Sequence, residues 1–110
     1  MIVNLKPEQI ELNTQEWEEV IQVLKNHVPE HAVWAFGSRV SGGAKKYSDL
    51  DIVIITSEPL SLSKMADLKE AFDESDLIFK VDVVDWAVTS DAFRRIIETE
   101  KVVIQTGEII

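Results

Sequence analysis

The sequence predicts an α/β (α+β) fold: one small mixed β-sheet with helices packed on it. Two observations carry this. Short β-branched apolar runs alternate along the chain with segments whose apolar residues recur at helical spacing. The chain of 110 residues, 45% hydrophobic and 28% charged, has room for one hydrophobic core and is neither disordered nor membrane-like in composition.

Taken in order, residues 1–12 carry Pro7 and little periodicity and read as an N-terminal arm, leaving 13–110 as a single domain. Asn13 followed by Glu16 has the spacing of a capping box, after which Trp17, Val20, Ile21, Leu24 and Val28 mark an amphipathic helix that Pro29 ends. Ala32–Phe36 is a short buried strand stopped by Gly37. Ser38–Ser48 is small, polar and basic, with space for one helical turn and a loop. Leu50–Thr56 is the second strand, and Ser57-Glu58-Pro59 turns the chain. Met65, Leu68 and Phe72 define the next helix, and Ile78–Asp85 the third strand. Ser90 caps a last helix carrying Phe93, Ile96 and Ile97, and Val102-Val103-Ile104 forms an edge strand.

The charge balance narrows the chemistry. Twenty acidic against eleven basic residues give a net charge of −9, which disfavours direct nucleic-acid binding and suits divalent cations. The absence of cysteine excludes disulfides and thiolate metal sites. No apolar run approaches the roughly 20 residues of a membrane span. Met1–Lys6 lacks the character of a signal peptide, so the expected location is cytoplasmic.

The chemistry is concentrated between Gly37 and Asp51. Asp49 and Asp51 are two residues apart at the mouth of a strand, so both carboxylates project to one face. Two such charges repel unless a cation lies between them, and a hard cation such as Mg²⁺ takes oxygen ligands. A bare Asp-x-Asp is weak evidence, since surface loops produce many. Gly37-Ser38 adds to it, because a strand that ends at a residue without Cβ and turns into a helix start offers free N–H groups to phosphate. Asp82 lies inside an apolar strand, costly unless paired, and completes a triangle if its strand adjoins that of Asp51. Asp85, an odd number of residues further on, should face the other way, at a strand end or capping a turn. The tryptophans Trp17, Trp34 and Trp86 are expected in packing rather than base stacking.

With these residues in place, the chain resembles the minimal nucleotidyltransferase family of the DNA-polymerase-β-like superfamily. Gly37-Ser38, the ten residues Arg39–Ser48, Asp49-Leu50-Asp51 and Asp82 match the signature without a gap. The strand form Ser48–Ile54 matches too, and the resemblance covers roughly residues 14–105. It implies that Asp49, Asp51 and Asp82 hold two Mg²⁺ ions on the triphosphate of ATP or another nucleotide. It also implies a hetero-oligomer with a small helical HEPN-type protein, toward which the chain acts as antitoxin, in some members by transferring AMP to a tyrosine of that partner.

The implied reaction is in-line attack of a hydroxyl on the α-phosphorus, with Asp82 assisting deprotonation and Gly37, Ser38 and Arg39 on the nucleotide side. Lys45 and Lys46 are the other cations near the motif. Two further readings remain: an antitoxin that occludes its partner without chemistry, and a small-molecule nucleotidyltransferase, which the expected lack of an added acceptor domain disfavours. A metal-dependent nuclease fits less well, for want of a basic surface and a catalytic His or Lys arrangement.

Overall fold

Asn13 and Glu16 start the first helix as their spacing requires. In the computed structural model, which describes residues 5–107, Asn13 Oδ1 accepts from the Glu16 amide at 2.7 Å and Glu16 Oε1 from the Asn13 amide at 2.9 Å. That cap opens α1 (Thr14–His27), whose Trp17, Val20, Ile21 and Leu24 are buried. There follow β1 (Val33–Phe36), a single helical turn α2 (Ser38–Ser41), β2 (Leu50–Ile54), α3 (Leu62–Asp73), β3 (Val81–Asp85), α4 (Asp91–Glu100) and β4 (Val102–Gln105). Ser61 and Ser90 cap α3 and α4 by accepting from the amides of Lys64 and Phe93. A 3₁₀ turn, Trp86–Val88, which periodicity could not reveal, links β3 to α4.

The sheet order is β3-β2-β1-β4, with β1 antiparallel to both neighbours and β2 parallel to β3. A parallel pair needs a crossover, and α3 supplies it. Alternation along the strands sends residues to two faces. Val33, Ala35, Leu50, Ile52, Ile54 and Val81 join Leu24, Leu68 and Phe72 in the main core, with α1 and α3. On the other face Phe36 and Val53 pack with Ile97 of α4, flanked by Trp34, Val84 and Phe93. Trp34 meets Trp86 edge-on at 5.3 Å. The tryptophans are packing residues, as expected.

Several boundaries differ from the sequence reading, among them the second strand, which ends at Ile54 rather than Thr56. The third strand begins at Val81 rather than Ile78, because its parallel partner starts at Leu50, opposite Val81. Ahead of that register Ile78 is half-exposed, while Phe79 turns into the core. The segment before Asn13 forms neither helix nor strand over residues 5–12, yet Ile10 and Leu12 are buried in the main core. The Glu11 amide donates to Arg39 O at 2.7 Å. Ile10 and Leu12 thus pack the end of the arm into the domain while Leu5 is exposed, and Met1–Asn4 lie outside the described residues.

Asp85 ends β3 as a buried cap. Its Oδ1 accepts from the Thr56 hydroxyl at 2.5 Å and the Ala87 amide at 3.1 Å, and Oδ2 from the Leu60 amide at 2.7 Å. It joins the end of β2, the start of the α3 connection and the 3₁₀ turn. Asp85→Ala orphans those donors, and denaturant unfolding is expected to show a loss of about 2–4 kcal/mol.

Candidate active site

The parallel register sets Asp51 beside Asp82, as it sets Leu50 beside Val81. Both carboxylates stand on the α4 face of the sheet, because their neighbours Leu50, Ile52 and Val81 point into the main core. Asp49, two residues before Asp51, lies just outside the strand on the exposed lip. The three aspartates thus converge on one mouth. Asp51 and Asp82 border an open cavity of about 490 Å³ whose wall also includes Phe36, Gly37, Val84, Phe93, Ile96 and Glu100. A larger groove of about 600 Å³, along Asn13–Gln22 and Asp76–Ile78, contains none of the motif residues.

Gly37 is glycine for a reason more specific than a turn. Its φ is +79°, and a Cβ built there would collide with Asp51 Oδ2. The missing side chain makes room for the carboxylate itself. The Gly37 carbonyl accepts from the amides of Val40 and Ser41, both at 3.0 Å, closing the single turn α2. The opening amides of such a turn have no partner within it. Ser38 is exposed beside them.

Arg39 has a different place from the one its sequence position proposed. It is 4% exposed, with its guanidinium 3.9 Å from the centre of the Phe79 ring. Nε donates to Ser48 O at 2.9 Å, Nη1 to Glu11 O at 2.8 Å, and Nη2 to Lys46 O at 3.1 Å and Lys45 O at 3.4 Å. Four of its five N–H groups therefore hold the 45–48 loop and the N-terminal segment. A buried cation satisfied by carbonyls is a scaffold for Asp49, not a free phosphate ligand. Lys45, Lys46 and Tyr47 are exposed on that loop.

The electrostatics fit a cation site. The Asp51 carboxyl is pushed up from 3.8 to about 6, first by burial and then by the negative charges of Asp82, Asp49 and Glu100. Lys80 Nζ lies 3.8 Å from Asp82 Oδ1, and the Asp82 side chain is 47% exposed. Among the described residues, no three His, Cys, Asp or Glu side chains already surround one ion position. The hard oxygens of the aspartates are the donor set that Mg²⁺ takes together with phosphate oxygens. Glu100 was not singled out in the sequence. It lies 49 residues beyond Asp51, and only the fold brings it near.

The family model for polymerase beta nucleotidyltransferases matches residues 18–109, a span containing every residue of this constellation. The chain belongs to that family. The enzyme is 53% identical over 100 residues to the probable protein adenylyltransferase MntA of Haemophilus influenzae, spanning 91% of this chain and 88% of that protein. Its fold recurs in a toxin–antitoxin structure with AMP-PNP, at a TM-score of 0.70 and 22% identity, covering 84% of this chain and 74% of that one. It recurs again in a complex of the MNT antitoxin with a tri-AMPylated Shewanella oneidensis HEPN toxin. There the TM-score is 0.62 at 22% identity, over 82% of this chain and 69% of that one.

The raised Asp51 carboxyl sets a pH signature. Between about pH 4 and 6 the folded state binds more protons than the unfolded chain, so stability falls as pH rises through that window and stays lower above it. Asp51→Asn removes this penalty. Its metal-free unfolding free energy is expected to exceed the wild type's at pH 7.5 by about 1 kcal/mol after solvent screening, and to match it near pH 4. Melting curves in EDTA across that range test this, and Mg²⁺ should narrow the gap at pH 7.5.

Proposed function

We propose that this nucleotidyltransferase transfers AMP from Mg²⁺–ATP to a hydroxyl of a protein partner, namely a tyrosine of a small helical HEPN-type toxin, and acts as its antitoxin in the cytoplasm. The observation that carries the reading is the pairing of Asp51 with Asp82 in parallel register, next to a Gly37 that leaves room for the Asp51 carboxylate. The names of its relatives support the direction: a protein adenylyltransferase at 53% identity, and an MNT antitoxin seen with an AMPylated HEPN toxin. Among the described residues, no helix is long and apolar enough to cross a membrane.

In this reading the Ser38 hydroxyl and the opening amides of α2 donate to the β- and γ-phosphate oxygens. Asp49, Asp51 and Asp82 would hold two Mg²⁺ ions, which would neutralise the triphosphate and lower the pKa of the acceptor hydroxyl. Asp82, on the edge strand and half-exposed, accepts the hydroxyl proton. The acceptor oxygen forms a bond to the α-phosphorus, the bond from that phosphorus to the bridging oxygen breaks, and pyrophosphate leaves. Arg39 keeps the loop that presents Asp49 in place. Positioning and charge provide most of the rate.

The test is to incubate the protein with the product of the neighbouring reading frame, ATP and Mg²⁺, and to weigh that partner by mass spectrometry. A gain of one or more AMP units, absent with Asp49→Asn, is the expected result. A tight complex with no mass change under any nucleotide would replace this with an occluding antitoxin. Modification of a small molecule instead would replace the acceptor.

A further inference from the structure

Among the described residues lining the cavity, Glu100 is the one acidic side chain that the motif does not contain. It ends α4, and β4 begins two residues later. The β1–β4 register pairs Ala35 with Val102, so the same antiparallel count places Gly37 opposite Glu100, just beyond the last ladder pair. At that point the Gly37 N–H has no strand to donate to. It donates instead to Glu100 Oε1, at 3.2 Å. The carboxylate thus supplies from a side chain the bond that a longer β4 would have supplied from backbone.

That bond has its effect at the site. Gly37 is in the left-handed region and packs against the Asp51 carboxylate, and its own carbonyl closes α2. Nothing intrinsic to glycine holds one conformation, since it populates many. The N–H side of the turn is fixed by Glu100 and the C=O side by α2. A neutral acceptor would satisfy the same N–H without adding charge beside Asp51.

We infer that Glu100 is a positioning residue for nucleotidyl transfer, acting through its hydrogen bond to the Gly37 N–H, which locks the glycine turn between Asp51 and the opening amides of α2. This rests on reading Gly37-Ser38 as the phosphate turn, and the experiment separates the two. Mg²⁺–ATP affinity is measured by calorimetry for the wild type, E100Q, E100A and, as a control, Asp49→Asn. In parallel, amide hydrogen exchange of Gly37 is followed by NMR, where only four glycines need assignment.

Glutamine keeps an acceptor oxygen at that position, and alanine removes it. E100Q is expected to bind within about twofold of wild type and to keep the Gly37 amide protected. E100A should bind roughly three- to tenfold more weakly, the span of one net hydrogen bond, and exchange Gly37 at least about tenfold faster. Wild-type affinity and protection in E100A would overturn the inference. So would an E100Q that falls as far as E100A, since the charge and not the bond would then matter. Should E100A fail to fold, Gly37 protection in E100Q decides alone: retained protection supports the bond, and lost protection overturns it. Loss of binding in Asp49→Asn together with an unaffected E100A rejects only the role of Glu100. Wild-type binding in Asp49→Asn rejects the site reading itself.

Discussion

Two carboxylates facing each other across parallel strands, Asp51 and Asp82, are an unfavourable contact around which the rest of the molecule is arranged. The repulsion is tolerable because of what lies behind it. Ile52, Val53 and Ile54 continue the same strand with no exposed surface. Each such side chain contributes roughly 1.5–3 kcal/mol on burial, well above the repulsion at the mouth. The fold thus holds a local repulsion that a proton or a cation relieves, and it places that repulsion at the open end of the sheet.

The site also needs parts that keep the carboxylates where they are. Arg39 reaches under the 45–48 loop, donates to its carbonyls and to Glu11, and stacks over Phe79. A buried guanidinium is expensive unless its donors are satisfied, so the loop and the N-terminal segment become conditions for each other. Asp85 plays the corresponding part at the far end of β3, gathering Thr56, Leu60 and Ala87. It sits three residues from Asp82 and has a structural duty, which shows that neighbouring aspartates on one strand can divide between scaffold and site according to the face they occupy.

Neighbourhood in sequence misled for Arg39 for a physical reason. A cation next to a phosphate turn is a reasonable nucleotide contact, and nothing local distinguishes it from a cation that turns inward. The distinction depends on Phe79 and Glu11, residues 40 and 28 positions away, being brought under it. The N-terminal segment was hard to read for a similar reason. Ile10 and Leu12 carry no helical or strand pattern of their own, and their burial exists only because the core presents a face for them to cover.

By itself the sequence determined the capped first helix, the order of strands and helices, and the candidate aspartates. These depend on local rules: a side chain reaching an amide three residues away, alternation with period two, and the intolerance of an apolar strand for an unpaired charge. Tertiary structure alone decided that β2 and β3 pair with Asp51 level with Asp82, and that Gly37 is bare to admit a carboxylate. It also turned Arg39 inward and set Glu100 to accept from the Gly37 amide just beyond β1. Register and close approach between distant segments are set by how two faces pack, and no window along the chain contains both faces.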